Sequence, residues 1–405
     1  MKPYTALQNA IGHHNIDIPL QLPRAADTLV NPLYCRKNPI LSTLMVSTSY
    51  PADLRDWRGL FIRHLGDALA RRYDLAVRLW APPGQTHPNI EPVTNAQESA
   101  WLSQLMQQGG IAHLLRNGGI SRFTAPIKLL NFLRQAYSRN QDVDSYHINW
   151  LQNVLPLPNN GKPLLVTVLG TDMQLLKLPM MKSLLRNKFS QHPSAVCPNA
   201  EWMLDPLQEA FGSVAQIKFV PFGIDTAWFE MERKPQSSPL WIVVTRLTKA
   251  KLGSLFEWCE PLFRDQVREL HLFGPMQEQI TVPDWVHYHG PASPEQLAKD
   301  WFCRAQGLIT LSKHAEGRPQ VMLEAMAAGL PILASRLPAH ENIVFNGKTG
   351  WICDTAQDLA SNLCQLESTE QNVCYGQAAR HWAHEAIGTW DDCAARYNTI
   401  YREIS

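Results

Sequence analysis

Residues 311–335, LSKHAEGRPQVMLEAMAAGLPILAS, decide the fold prediction for this 405-residue chain. Pro319 suits the first turn of a helix, where its missing N–H has no helical partner to lose. Gly329 suits the left-handed position that ends a helix, and Pro331 prevents the helix from continuing. The segment 320–328 is therefore predicted as a short helix between a loop and a buried strand.

Two glutamates, Glu316 and Glu324, flank the point where this loop enters the helix. A strand, a glycine-bearing loop and a helix N-terminus together favour an anion, because free backbone N–H groups and the helix dipole attract phosphate. A carboxylate on the helix can also accept hydrogen bonds from the two hydroxyls of a ribose. The pattern therefore indicates a nucleotide-sugar site. The alternative is an ordinary buried strand–helix unit whose glutamates only cap and solvate it.

The pattern Glu316-Gly-Arg-Pro followed by Glu324-Ala-Met-Ala-Ala-Gly-Leu-Pro resembles the Glu-x7-Glu signature of retaining glycosyltransferases of family 4, the group 1 glycosyltransferases. The later turn Asn346-Gly-Lys-Thr-Gly350 agrees with it, and the resemblance covers residues 41–405. It implies the GT-B fold, an α/β fold of two Rossmann-like doubly wound domains facing a central cleft. The implied enzyme is a retaining, metal-independent hexosyltransferase of glycan, polysaccharide or glycolipid biosynthesis, which moves a sugar from a nucleoside-diphosphate donor to an acceptor hydroxyl.

Composition limits the classes of partner and the compartment. Lys and Arg number 37 against 36 Asp and Glu, so the charge gives no indication of nucleic-acid binding. The 8 cysteines are scattered without a Cys-x-x-Cys motif, which indicates reduced thiols in a cytoplasmic protein and no zinc site. No signal-peptide core is visible, and no apolar run approaches the roughly 18 residues that span a bilayer. We expect a cytoplasmic protein that contacts a membrane, if at all, only peripherally at its inner face.

The alternation of strands and helices predicts two doubly wound units. A strand at 41–47, a helix at 59–72 and a strand at 74–80 form the β–α–β opening of the first unit. The composition of 234–239, KPQSSP, is typical of a linker and predicts the domain boundary. The predicted parts are an N-terminal extension at 1–40, an N-terminal Rossmann-like acceptor domain at 41–233, a C-terminal Rossmann-like nucleotide-sugar donor domain at 234–385, and a C-terminal helix at 386–405 that packs back on the N-terminal domain.

Two cations follow the first predicted strand of the second unit, Arg246 directly and Lys251 five residues later. Because ligands collect at the carboxyl ends of strands in open α/β sheets, both should point into the cleft. The alternative for Lys251 is a solvated surface lysine. The pair matches the Arg-Leu…Lys pair of the family, which resembles a clamp on the β-phosphate. The resemblance further implies that Glu324 binds the ribose, and that Glu316 orients the donor sugar or stabilises an oxocarbenium-like transition state.

Other donor-binding candidates lie in two loops. Gly317, Arg318 and Pro319 would offer backbone amides to the diphosphate, and Arg318 could add its charge. The alternative for Arg318 is an exposed loop arginine. Gly59 resembles the family glycine that lets the backbone approach the donor. No cofactor and no metal ligand set are predicted, and the expected substrate is a UDP- or GDP-sugar.

Two residues of the N-terminal half are candidates for holding an acceptor or sugar hydroxyl. Asp172 ends the sequence Leu169-Gly-Thr-Asp, at which the family often reads His-Gly-x-Asp. His147 ends a predicted strand, and its alternative is a purely structural hydrogen-bonded histidine. The predicted catalytic set is Glu316, Arg246, Lys251 and Asp172.

Two other functions stay open from the sequence: a GT-B sugar-nucleotide 2-epimerase, and a nucleotide-sugar-binding protein without turnover. The basic amphipathic helix candidates at 122–139 and 173–189 raise the hypothesis of contact with an anionic membrane. Their alternative is to pack as ordinary helices on their own sheet. The expected partners are a nucleotide-sugar donor and a glycan or lipid-linked acceptor.

Overall fold

The computed structural model describes residues 41–71, 75–111, 119, 121–234 and 239–405. The predicted extension at 1–40 lies outside the described residues, as does most of the predicted boundary segment at 234–239. The described part of the chain contains two β-sheets, one of seven strands and one of six.

The seven-stranded sheet is built from the N-terminal half of the chain. Its strands are β1 (Leu41–Val46), β2 (Leu75–Trp80), β3 (Ile90–Pro92), β4 (Ser145–Asn149), β5 (Leu164–Val168), β6 (Ser194–Pro198) and β7 (Gln216–Ile217). They lie in the order β3-β2-β1-β4-β5-β6-β7, and every neighbouring pair is parallel. Because the central strands β4, β5 and β6 are buried along their whole length, this sheet is covered on both faces.

The six-stranded sheet is built from the C-terminal half. Its strands are β8 (Leu240–Val244), β9 (Glu269–Phe273), β10 (Val286–Gly290), β11 (Gly307–Thr310), β12 (Ile332–Ser335) and β13 (Gly350–Cys353). Their order is β10-β9-β8-β11-β12-β13, again parallel throughout. The strand order reverses between β1 and β4 in one sheet and between β8 and β11 in the other, the points where open α/β sheets bind ligands. The prediction of two doubly wound α/β units is confirmed.

Helices connect the strands. The longer ones are Leu60–Ala70, Ala96–Gln107, Ser121–Arg139, Met181–Phe189, Leu204–Phe211, Leu255–Phe263, Gln320–Ala327, Ala356–Leu366, Thr369–Trp382 and Trp390–Ile404. The shorter ones include Asp172–Leu175, Thr226–Glu230, Lys249–Leu252, Pro294–Gln296 and Pro338–Glu341. Gly329 ends the helix Gln320–Ala327 with a φ of 79°, the left-handed conformation predicted for it.

The last helix, Trp390–Ile404, packs against the first sheet and not against the sheet that precedes it in sequence. Its side chain Tyr397 shares one buried apolar cluster with Leu165 of β5. Before this helix, Thr389 pairs with Ile224 in an isolated parallel bridge. The two stretches of chain that connect the halves therefore run side by side.

The segment 173–189, predicted as one basic helix, is broken in the structure. The helices Asp172–Leu175 and Met181–Phe189 are separated by a turn that contains Pro179. Proline has no N–H to donate, and Met180 takes a left-handed φ of 63°. The prediction of one continuous helix is therefore wrong.

Candidate functional site

The loops at the carboxyl ends of β5 and β11 meet. Gly170 follows β5, and a Cβ atom built on it would lie 2.2 Å from the backbone nitrogen of Gly317, in the loop after β11. Trp202 adds a hydrogen bond, because its Nε1–H donates to the carbonyl oxygen of Gly317 over 2.9 Å. The loop that carries the predicted diphosphate-binding residues is thus held directly against loops of the first sheet.

An ion pair lies beside this contact. Lys251 belongs to the short helix Lys249–Leu252, which Thr248 caps by accepting a hydrogen bond from the Lys251 backbone N–H. The Lys251 Nζ lies 2.7 Å from Oε1 of Glu316, and the two side chains are only 13% and 12% exposed. Ser312 donates from Oγ to the same carboxylate oxygen over 3.1 Å. Lys251 is therefore not the solvated surface lysine of the alternative interpretation.

Burial and charge oppose each other in this pair. Burial lowers the pKa of Lys251, outweighing the attraction of Glu316, and the nearby charge of Arg246 lowers it further. Burial acts to raise the pKa of Glu316, but the charge and hydrogen bond of Lys251 hold it below its ordinary value. The carboxylate is therefore ionised at neutral pH. The structure therefore brings together Glu316, Lys251 and Arg246, three of the four residues predicted to be catalytic.

Glu324 lies on the helix Gln320–Ala327 and is half-buried. Burial raises the pKa of its carboxyl group to about 7, and the negative charge of Asp225 raises it as well. Within the described part of the chain, no protein donor makes a hydrogen bond to this carboxylate. Its two oxygens are therefore available to accept from hydroxyls of a ligand.

The other predicted donor-binding residues are tightly packed. Arg318 is 8% exposed, and its guanidinium lies 5.2 Å from the centre of the Phe219 ring, so the alternative of an exposed loop arginine is wrong. Burial lowers its pKa to about 10. Pro319 directly precedes the helix Gln320–Ala327 instead of lying in its first turn. Gly59 has a φ of 72°, and a Cβ on it would lie 2.5 Å from the Ser49 Oγ.

Asp172 is 1% exposed and makes structural hydrogen bonds. Its Oδ1 accepts from the backbone N–H of Leu151 over 2.8 Å, and its Oδ2 accepts from that of Leu169 over 2.7 Å. Burial raises its pKa to about 7 in spite of these bonds. Both carboxylate oxygens of Asp172 are therefore occupied, and neither is available to a hydroxyl of an acceptor substrate. Asp172 fixes the turn that carries Gly170, and Gly170 contacts the loop after β11, here called the donor loop. Asp172 is therefore related to the donor loop only through that turn.

His147 is fully buried between β5 and the last helix. Its Nδ1 is 2.8 Å from the Tyr401 hydroxyl, and its Nε2 is 2.8 Å from the Thr167 hydroxyl, which also pairs with the Tyr397 hydroxyl. Burial lowers the pKa of His147 to about 3, so the ring is neutral. His147 is therefore the purely structural, hydrogen-bonded histidine of the alternative interpretation. Its buried ring cannot contact a sugar hydroxyl.

Several residues of this region were not predicted from the sequence. Trp202, Asp225 and His340 lie far from the donor loop in sequence or carry no motif, yet each contacts or electrostatically influences a predicted residue. Gly170 matches the glycine of the family's His-Gly-x-Asp sequence, but its contact with the loop after β11 was not predicted. Long-range packing, which a single sequence does not display, brings these residues into the site.

The described surface also contains recesses. One of them has a volume of about 530 Å³ and lies between Arg55, in the loop after β1, and the segment 291–300 after β10. A larger recess of about 810 Å³ is lined by Gly161, His192 and Ser405. None of the residues discussed above as site candidates lines either recess, so neither is assigned to this site.

Similar proteins are found by sequence. A family model described as "Glycosyl transferases group 1" matches residues 238–369. A GDP-mannose-dependent alpha-(1-6)-phosphatidylinositol monomannoside mannosyltransferase of Mycobacterium tuberculosis is 25% identical over 265 residues, which are 58% of this chain and 68% of that protein. A D-inositol 3-phosphate glycosyltransferase of Streptomyces avermitilis is 35% identical over 124 residues, 30% of this chain and 26% of that protein.

Solved structures extend the likeness to both halves. Sucrose-phosphate synthase from Thermosynechococcus elongatus superposes with a TM-score of 0.67 at 17% identity, covering 90% of this chain and 98% of that one. Anabaena Alr3699/HepE in complex with UDP and glucose gives a TM-score of 0.61 at 14% identity, covering 90% and 100%. At such identities the likeness shows the fold, and the predicted GT-B class is confirmed.

Proposed function

We propose that this chain, a glycosyltransferase of the group 1 type, transfers a sugar from a nucleoside-diphosphate donor to an acceptor hydroxyl with retention of the anomeric configuration. The observation that carries the proposal is the 2.7 Å pair between Lys251 Nζ and Glu316 Oε1 at the carboxyl ends of the second sheet. A bound diphosphate would offer the lysine a more highly charged partner. Glu316 would then stay beside the sugar.

The proposed chemistry separates charge at the anomeric carbon. As the bond to the leaving diphosphate breaks, negative charge grows on phosphate oxygens, and Lys251 and Arg246 are the cations that would stabilise it. A divalent metal is then unnecessary, so we propose a metal-independent reaction. Glu316 would stabilise the positive charge that grows on the sugar ring. The acceptor hydroxyl would attack from the face that the phosphate leaves, and the phosphate would take its proton.

The nucleoside has one proposed contact. Glu324, whose carboxylate has the raised pKa of about 7 described above, would accept hydrogen bonds from the ribose hydroxyls. The names of similar proteins support a GDP- or UDP-linked donor and a glycan or lipid-linked acceptor. One relative is a GDP-mannose-dependent phosphatidylinositol monomannoside mannosyltransferase, and the solved Anabaena Alr3699/HepE is in complex with UDP and glucose.

A donor panel tests this function. We expect one class of nucleotide sugar among UDP-, GDP- and ADP-sugars to raise the melting temperature by several degrees, because a ligand at 100 times its Kd stabilises the folded state by about 2.7 kcal/mol. The same donor should release its nucleoside diphosphate with transfer to an acceptor or to water, and the product should keep the donor's anomeric configuration by NMR. The matching nucleoside without phosphates is the control. Isomerised donor, or tight binding without turnover, would contradict the proposal.

One surface combines exposed apolar side chains with lysines, and it supports a further proposal, contact with a membrane. We call it the basic apolar surface. We define it as Lys177, Leu178, Met180, Lys182 and Leu184, of which the three apolar side chains are 52%, 75% and 48% exposed. The helices behind it bury their apolar faces on their own sheet, as the structural alternative predicted. Within the described residues, no helix has the length and apolar character required to cross a bilayer. Exposed apolar side chains flanked by lysines match an anionic bilayer surface, so we propose peripheral membrane association through this surface.

Co-sedimentation with vesicles tests the membrane contact. We expect binding to vesicles that contain phosphatidylglycerol, little binding to pure phosphatidylcholine, and loss of binding in the double variant Leu178→Ser/Leu184→Ser. Val267→Ser is the matched control, because Val267 is 62% exposed but belongs to the C-terminal half. Equal sedimentation of the double variant and the wild-type protein would rule this surface out.

A further inference from the structure

His340 lies in the one-turn helix Pro338–Glu341 after β12 and is fully buried. Its Nδ1 lies 2.8 Å from the carbonyl oxygen of Ser335. Because a carbonyl oxygen can only accept, Nδ1 carries the hydrogen and Nε2 of the neutral ring is an acceptor. The buried Nε2 has no hydrogen-bond partner among the described residues. A buried polar atom without a partner needs an explanation, since most such atoms in folded proteins are paired.

The ring is connected to the ion pair of the site. Ser335, whose carbonyl holds the ring, donates from Oγ to the carbonyl oxygen of Ser312 over 2.6 Å. Ser312 in turn donates from its own Oγ to Glu316. The charged groups that act on the ring are Glu316 and Lys251, together with Glu341 from the ring's own turn. The protonation of His340 therefore depends on which cation is paired with the Glu316 carboxylate.

Donor binding would leave the Glu316 carboxylate without its cation. In the structure, the Glu316 carboxylate is neutralised by Lys251 at 2.7 Å, and its side chain is 12% exposed. If the lysine turns to the donor diphosphate, a carboxylate with little access to water loses its cation. An unpaired charge in such a site is costly unless another charge replaces the lost partner.

We propose that His340 supplies the replacement charge: when Lys251 moves to the diphosphate, Nε2 of His340 takes up a proton from solvent, and the imidazolium stabilises the carboxylate of Glu316. The proton comes from bulk water or buffer, Nδ1 keeps its own hydrogen, and no bond of the donor changes. When the diphosphate leaves, Lys251 returns and the ring releases the proton. His340 is a positioning residue in this scheme, and the inference rests on the proposed function because it needs a bound diphosphate.

The direction of the proton transfer follows from the groups around the ring. In the ligand-free protein, burial lowers the pKa of His340, and Lys251 lowers it as well, while Glu316 and Glu341 oppose them. Removal of Lys251 takes away a repulsion and frees the attraction of Glu316, so both changes raise the pKa of His340. Protons are then taken up on binding, so His340 makes the diphosphate bind more tightly as the pH falls through the raised pKa that the ring has in the complex.

Proton uptake can be measured by calorimetry. The nucleoside diphosphate selected by the donor panel is titrated into the protein at about pH 6.5 in buffers of different ionisation enthalpy. We expect uptake of a substantial fraction of one proton in the wild-type protein. His340→Asn should lose it, because asparagine keeps an N–H for the Ser335 carbonyl and cannot titrate. Glu316→Gln should lose it too, because no carboxylate then needs compensation.

The chain offers a matched control. The Nδ1 of His192 also lies 2.8 Å from a backbone carbonyl oxygen, that of Lys162, and its Nε2 is also buried without a partner. Because His192 lies in the N-terminal half, away from the ion pair, His192→Asn should keep the full uptake. If His340→Asn does not fold, Glu316→Gln and the ring resonances of ¹³C-labelled histidines with and without the diphosphate decide the question.

The outcomes separate this inference from the proposed function. Binding in which His340→Asn takes up as many protons as the wild-type protein would overturn the role of His340 and leave the glycosyltransferase function intact. A histidine resonance that stays neutral in the complex would do the same. A protein that binds no nucleoside diphosphate at all would overturn the proposed function itself.

Discussion

Replacement of Lys251 by alanine is expected to lower kcat/KM for sugar transfer by about 10²–10³-fold, the loss seen when one group that stabilises developing negative charge is removed. The lysine is the cation nearest to Glu316, at 2.7 Å, and it belongs to a capped helix that fixes its position. Its removal also leaves a buried carboxylate unpaired, which destabilises a fold by about 3 kcal/mol. Steady-state kinetics and urea denaturation measure the two effects separately.

Two further variants separate chemistry from folding. Lys249→Ala changes an exposed lysine of the same short helix and should leave kcat/KM within a factor of about 2, since exposed substitutions rarely have larger effects. The double variant Lys251→Ala/Glu316→Gln should recover most of the lost stability without recovering transfer. Full transfer activity in Lys251→Ala would remove the lysine from the proposed mechanism.

Gly170→Ala is expected to reduce transfer by about 10²-fold with little change in the donor-free fold of either half, because a displacement of about 1 Å at a reacting centre has effects of that size. The added methyl group would lie 2.2 Å from the Gly317 nitrogen and 2.6 Å from the Glu316 carbonyl carbon. Both contacts are with backbone, which cannot rotate away as a side chain does. The donor loop must therefore move away from the first sheet, and Glu316 moves with it.

The comparison variant is Gly66→Ala. Gly66 lies in the helix Leu60–Ala70, where the nearest atom to an added Cβ is 3.4 Å away, an ordinary contact. This variant should keep normal transfer, and the better helix propensity of alanine favours the fold. If Gly170→Ala transferred sugar as fast as Gly66→Ala, the contact between the two loops would have no part in catalysis.

The local features of residues 311–335 were predictable because they depend on backbone chemistry. Gly329 adopts the left-handed conformation that only glycine takes readily, and Pro331 follows it as a stop signal. The pairing of Lys251 with Glu316 was also accessible, since strand ends in a parallel sheet share one edge. The short strand β6 was missed, because its five residues end at Pro198, a residue that normally interrupts strands.

The roles of polar residues in the N-terminal half could not be predicted in the same way. A sequence shows that Asp172 carries a carboxylate, but the backbone N–H groups that occupy it come from Leu151 and Leu169. His147 is held by Tyr401, 254 positions away. Trp202 reaches Gly317 across 115 positions. Such contacts arise from tertiary packing, so the residue type at one position does not reveal them.

The placement of the last helix has a consequence for synthesis. The apolar core of the first sheet includes Tyr397 and Tyr401, and the buried ring of His147 has the Tyr401 hydroxyl as a partner. The chain must therefore be synthesised beyond Tyr401 before this core can close, although domains usually fold in the order in which they are made. The core around Met322 already has all its members once Ile387 has emerged. The half that is translated second is thus the first that can finish folding.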